Sequence, residues 1–172
     1  MIRCVKDFLG RYVSYECECC DVANHRLMPP GNRIFENDKI VVYPNLTVPV
    51  LGFIVVAPKR HVERFSDLDF DTNVSLIENS MKVVNGLREF NIGEDFSIIK
   101  FEDEHNHCKM WIMPYLDGIF EDNFDFRLLE NRYSMERRKI PLAPASEILF
   151  LNRRLRTLFE EKYSEDNRKA VH

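Results

Sequence analysis

The chain has 172 residues, 45% hydrophobic and 30% charged, which supplies one core and a solvated surface and excludes wholesale disorder and a fibrous class. That length sits near the ~150-residue prior for one domain, so residues 1–172 are expected to form a single unit with a core over about 15–160 and a frayed polar tail at 164–172. A net charge of −4 gives no general basic field, so nucleic acid is not the expected partner, although a small basic pocket stays open. No apolar run reaches ~18 residues, and the start MIRCVKDFLGRYV has no signal-peptide core, so the expectation is a cytoplasmic protein with no membrane segment. The five cysteines, three of them within YECECCDV, fit reduced thiols and metal ligation better than a disulfide framework.

In chain order, Val5, Phe8, Leu9 and Tyr12 have helix-like spacing, so residues 1–15 read as a short helix or an extended arm. Pro29, Pro30 and Gly31 then break regular structure and lead into two strand-like runs, Arg33–Glu36 and Lys39–Tyr43, joined across Asn37-Asp38 as a hairpin. Phe53–Ala57 reads as an interior strand stopped by Pro58. From Val74 to Phe90, apolar residues Val74, Ile77, Met81, Val84 and Leu87 recur at helical intervals and predict one inward face, with Asn91 and Gly93 as the stop. Phe96–Phe101 and His107–Met113 predict a second hairpin across an acidic turn. A last helix is expected after Pro144, with Ser146 as N-cap and Ile148, Leu151, Leu155 and Leu158 inward. This order predicts an α+β fold, a mainly antiparallel sheet with flanking helices.

The segment HNHCKMWIMP, 105–114, concentrates the chemistry. On a strand His105, His107, Lys109 and Trp111 share one face, and Asn106, Cys108, Met110 and Ile112 share the other. A pair of imidazoles beside an ammonium suits phosphate handling or metal binding; a histidine-rich turn with surface roles is the bland alternative. Upstream, Cys17-x-x-Cys20 and the histidine of PKRH, His61, supply the remaining donors of a tetrahedral Cys₂His₂ zinc site with one histidine of the pair, although all three cysteines could equally be bystanders. Cys4 and Cys108 read as packing residues, His25 and His172 as exposed, ERRK at 136–139 as a solvated face, and FEDNFDFRLL at 120–129 as core, with a subunit interface or closure over a base as alternatives.

These landmarks, CECCDV, RIFENDKIVVYPN, PVLGFIVVAPKRHVERFSDL and HNHCKMWIMP, resemble the histidine-triad (HIT) superfamily of nucleotide hydrolases and transferases, from Cys17 to Pro114. The resemblance implies an antiparallel sheet with flanking helices, often doubled into a homodimer. It also implies a bound nucleoside phosphate and a histidine nucleophile that forms a nucleotidyl-histidine intermediate. Two departures stand out. Gly52-Phe53 replaces the family's PGHV histidine, and the triad strand is degenerate and admits two registers. Counted from its first histidine, the strand resembles the galactose-1-phosphate uridylyltransferase branch: His105 completes the zinc site, His107 is the nucleophile, and Lys109 binds phosphate. Counted back from Pro114, as in diadenosine polyphosphate hydrolases, His107 comes first, Lys109 fills the nucleophile slot and Trp111 the third, and the chemistry is lost or altered.

The first register keeps a usable nucleophile and is adopted as the expectation. It makes Cys17, Cys20, His61 and His105 the ligands of a structural Zn²⁺, His107 and Lys109 the catalytic pair, and Asn45, Lys109 and Trp111 the substrate contacts. Asn45 is equally readable as a turn residue beside Pro44. The expected substrate is a nucleotide, a dinucleoside polyphosphate or a nucleotide sugar, cleaved or transferred at phosphorus. The alternative is an inactive nucleotide-binding or scaffold protein that keeps the fold and the zinc, and a third reading is a zinc interaction module built on CECC alone.

Overall fold

The structure, a computed structural model, describes residues 2–103, 106–115 and 141–163. Among them are strands β1 (Arg3–Lys6), β2 (Tyr12–Tyr15), β3 (Phe35–Glu36), β4 (Ile40–Pro44), β5 (Ile54–Pro58), β6 (Phe96–Asp103) and β7 (Asn106–Pro114). The helices are α1 (Glu18–Ala23), α2 (Phe70–Glu89) and α3 (Ala145–Lys162), with a 3₁₀ turn at Phe65–Asp67. The last five strands form one sheet in the order β3-β4-β5-β7-β6, antiparallel at every pairing. This is the mainly antiparallel α+β architecture expected. The stretches 120–129, 136–139 and 164–172 lie outside the described residues. No helix among the described residues is long and apolar enough to cross a membrane.

Residues 2–15 take the extended alternative, folded back on itself, rather than the helical one. β1 and β2 pair as a hairpin around a turn in which the Asp7 carboxylate accepts the backbone N–H groups of Leu9 and Arg11 and Gly10 takes φ +85°. A carboxylate that caps the turn and a glycine that tolerates positive φ outweigh the helical spacing of four apolar residues. The Asn37-Asp38 hairpin forms as predicted, with Asn37 Oδ1 accepting the N–H groups of Lys39 and Ile40.

Both faces of the sheet are covered. Ile40, Val42, Ile54, Val56, Cys108 and Ile112 pack against α2 and α3, while Val41, Tyr43, Val55, Trp111 and Met113 pack against Cys19, Val22 and Ala23 of α1 and the Leu46–Val50 loop. Central strands buried on both faces read as continuous apolar runs, as IVVY and IVVA do.

The helix α2 begins at Phe70, four residues before the predicted start, with Asp69 accepting from the Thr72 N–H as N-cap. It ends in a Schellman motif: Ile92 N–H donates to the Leu87 carbonyl, Asn91 N–H to that of Arg88, and Asn91 takes φ +57°. Its inward face differs from expectation. Leu76, Val83, Val84 and Leu87 are buried together with Thr72, Ser75, Asn79 and Ser80, whereas Val74, Ile77 and Met81 face outward. Ser80 Oγ donates to the Leu76 carbonyl and Asn79 Nδ2 to that of Ser75, which offsets part of the cost of burying them, although Asn79 Oδ1 has no partner among the described residues. The N-cap of α3 is Pro144 rather than Ser146.

Helices α2 and α3 touch at Gly86, where an added Cβ would lie 2.8 Å from Leu158 Cδ2 and 2.9 Å from Leu155 Cδ2. Alanine normally gains about 1 kcal/mol over glycine inside a helix. Here overpacking against two buried leucines costs about 1–3 kcal/mol, so Gly86→Ala is expected to lower the urea midpoint. A raised midpoint would show that the two helices separate freely.

Candidate metal centre

The metal centre is assembled from three places in the chain. Cys17 is the N-cap of α1, in extended conformation, and Cys20 lies in the first turn, so the Cys-x-x-Cys spacing turns both sulfurs toward the sheet. His61 follows β5, past Pro58. A backbone bond from Cys108 N–H to the Val62 carbonyl, 2.8 Å, ties that loop to β7 and sets His61 beside His107, their rings nearly perpendicular with centroids 5.0 Å apart. Asp21, buried, braces the helix start by accepting the Glu16 N–H and the Arg26 guanidinium.

The donor atoms of Cys17, Cys20, His61 and His107 all lie within 4.8 Å of one another. His61 Nδ1 is 3.5 Å from Cys17 Sγ and 3.3 Å from Cys20 Sγ, and His107 Nδ1 is at the same two distances. Bonds of ~2.0–2.3 Å at tetrahedral angles put zinc donors about 3.3–3.8 Å apart. The observed separations of 3.3–3.5 Å fall within that range. The Cys₂His₂ set fits a structural zinc ion.

His107 is only 3% exposed. Its Nε2 lies 2.7 Å from the Pro58 carbonyl, so Nε2 carries the hydrogen, donates it, and leaves the Nδ1 lone pair for the metal. Burial lowers its pKa to about 4, with the nearby His61 and Lys109 acting the same way and the Pro58 bond opposing them; the ring is neutral near pH 7. Burial first, and then the Cys17 neighbour, raise Cys20 to about 12, so a bound zinc must displace its proton. Burial also raises Cys19, which packs against the Tyr43 hydroxyl; that hydroxyl donates to Glu18.

Among the described residues the group comprises Cys17, Cys20 and His61, as expected, together with His107; His105 lies outside the described residues. This geometry matches the register counted back from Pro114. His107 was expected to stand bare as nucleophile; here Nδ1 points at the thiols and Nε2 at a carbonyl. Lys109 comes two residues later on the same face of β7, half-buried, with Nζ 5.5 Å from the Trp111 ring centroid.

The other expected substrate contacts are also engaged. Trp111 is 1% exposed and packs edge-on against Phe53, centroids 5.2 Å apart at 78°. Asn45 is buried, and its Oδ1 accepts the N–H groups of Thr47 and Val48, so it closes a turn. Sequence reasoning missed the Phe53–Trp111 contact and the Pro58 carbonyl behind His107. The signal for the second was present: PKRH begins with that proline.

No family model matches the chain. It is similar to an uncharacterised HIT-like protein of Borreliella burgdorferi, 26% identical over 77 residues, which is 45% of this chain and 54% of that protein; the match spans about half that relative's length. A second HIT-like protein, of Methanocaldococcus jannaschii, is 23% identical over 107 residues, 59% of this chain and 81% of that one. Among solved structures, a zinc-bound histidine triad family protein of Mycobacterium smegmatis superposes with a TM-score of 0.61 at 17% identity, covering 87% of this chain and 96% of that one. A hypothetical histidine triad nucleotide-binding protein of Sulfolobus tokodaii gives 0.59 at 19%, covering 84% and 92%. The likeness to these structures is one of fold.

Proposed function

We propose that this chain, a member of the histidine-triad superfamily, holds a structural zinc ion and binds a nucleoside phosphate without cleaving it. The observation that carries the proposal is the state of His107: Nδ1 lies 3.3–3.5 Å from both thiols and Nε2 2.7 Å from the Pro58 carbonyl. A displacement at phosphorus needs a free lone pair aimed at it. The next positions on the same face of β7 are Lys109 and Trp111. An ammonium attracts a phosphoryl oxygen but has no lone pair with which to attack phosphorus. Replacing an imidazole by an ammonium at that point keeps phosphate affinity and removes the covalent step. The zinc, with four protein donors, has no open position for substrate and serves the fold.

The test is calorimetric titration of the zinc-loaded protein with adenosine monophosphate, followed by incubation with a dinucleoside polyphosphate and with a nucleotide sugar. Binding is expected, weakened about tenfold by Lys109→Ala through loss of a charge-assisted contact. The mass of the protein should be unchanged after incubation, and product absent. A nucleotidyl adduct mapped to any residue of 105–109, with turnover, would overturn the non-catalytic reading, and absence of nucleotide binding would overturn the other half.

A further inference from the structure

A cavity of about 380 Å³ opens at the edge of the sheet, between β3 and the last two turns of α3, a volume in the range of small-ligand pockets. Among the described residues β3 pairs only with β4, so no strand closes its outer side. The floor is apolar. Ile34 and Phe159 are buried, and the Phe35 and Phe159 rings lie 5.0 Å apart, tilted by 32°. These three belong to the core on the α3 side of the sheet, whereas Cys19, Tyr43 and Trp111 pack on the side of the metal centre. Four charged side chains, Arg33, Glu36, Arg156 and Glu160, ring the floor. Two of them are already matched. Glu36 meets Lys59 at 2.9 Å and Arg33 Nε at 3.5 Å, and Arg33 also donates to the Val22 carbonyl. The other two are not. Arg156 donates Nε to the Arg33 carbonyl at 2.9 Å and Nη2 to the Gly31 carbonyl, both neutral acceptors, and neither Arg156 nor Glu160 has an ion-pair partner among the described residues.

We infer that this cavity binds a free α-amino acid with an aromatic or branched apolar side chain. Arg156 and Glu160 stand four residues apart on α3, which sets their Cβ atoms about 6 Å apart on one helix face, with Phe159 between them in sequence on the same lining. An α-amino acid carries a carboxylate and an ammonium on a single carbon, so it answers one unmatched guanidinium and one unmatched carboxylate at once. Its carboxylate accepts from Arg156 Nη1, which neither backbone carbonyl engages, in a charge-assisted bond. Its ammonium faces Glu160, and its side chain covers the Phe35–Phe159 pair. Charge balance disfavours simpler ligands. A dianion such as a phosphate monoester would face two carboxylates with one uncompensated cation, and a lone cation would leave Arg156 unanswered.

Titration of the zinc-loaded full chain with L-phenylalanine, followed by NMR at the amides of Ile34–Glu36 and Arg156–Glu160, tests this independently of nucleotide binding or turnover. Saturable shifts are expected, with a dissociation constant of about 0.1–1 mM for a ligand of this size. Phenylacetate, which lacks the ammonium, and phenethylamine, which lacks the carboxylate, should each bind about tenfold more weakly. Glu160→Lys should reverse the first preference, so that phenylacetate binds more tightly than L-phenylalanine, with zinc content and melting behaviour preserved since the side chain is exposed. A merely structural role for Glu160 would not exchange one ligand for the other. Absence of saturation by about 10 mM L-phenylalanine, equal affinity for the three compounds, or a preference indifferent to Glu160→Lys would each overturn the proposal.

Discussion

Stripping the metal with a chelator, or replacing Cys20 by serine, is expected to lower the melting midpoint by about 10–20 °C, the equivalent of about 5 kcal/mol for a chain of this length. The size follows from what the four donors join. Cys17 and Cys20 belong to the start of α1, His61 to the loop after β5, and His107 to β7; between them they fasten the α1 face of the sheet to its central strands. Without the ion, only weak thiol–imidazole hydrogen bonds join these four side chains, and His107 stays buried beside them. Differential scanning calorimetry of zinc-loaded and chelated protein measures the difference. Equal midpoints would show that the group is not a structural centre.

Acid should act through the same residue. His107 has a folded-state pKa near 4, against an ordinary unfolded value of about 6.5. A depressed histidine pKa means that the unfolded chain binds the proton first. Stability is therefore full above pH ~6.5 and declines as pH falls from there toward about 4, where protonation also removes the Nδ1 lone pair from the metal. Midpoints measured across that window should fall together with zinc content.

Trp111→Ala is expected to cost about 3–5 kcal/mol, the range for deleting a large aromatic from a core. The indole is buried against Phe53 and shares a cluster with Tyr43, Val55 and Met113, so little can collapse into its place. Trp111→Phe should recover most of the loss by keeping the ring contact. If Trp111 instead faced a ligand, Trp111→Ala would leave the urea midpoint near wild type and reduce nucleotide binding. The two outcomes separate a packing residue from a substrate contact in one pair of measurements.

The metal centre was three-quarters legible because its signals are local. A Cys-x-x-Cys at a helix start and a histidine after a strand-ending proline each carry their geometry in a few adjacent residues. The fourth ligand depended on a register along β7, and HNHCKMW offers two imidazoles with the same face parity. Distance to Pro114 separates them, but only pairing of β7 with β5 and the Cys108–Val62 bond bring His107 to the thiols. The strands IVVY and IVVA were legible for the opposite reason, since continuous apolar runs leave little choice. The helix α2 was found but its inward face was misjudged, because Ser75, Asn79 and Ser80 bond to their own helix and go inside while larger apolar side chains stay out. The opening hairpin was hidden because its turn rests on one carboxylate and one glycine, not on a periodic pattern.

The contact between Phe53 and Trp111 joins two positions at which the chain departs from the histidine-triad pattern. Restoring a histidine at position 53 alone would set an imidazole against an indole edge with no polar partner beside it. Restoring one at 111 alone would open a hole next to a phenyl ring. A histidine at either position alone is therefore unfavourable, and only a coupled change at both preserves the packing between these two side chains.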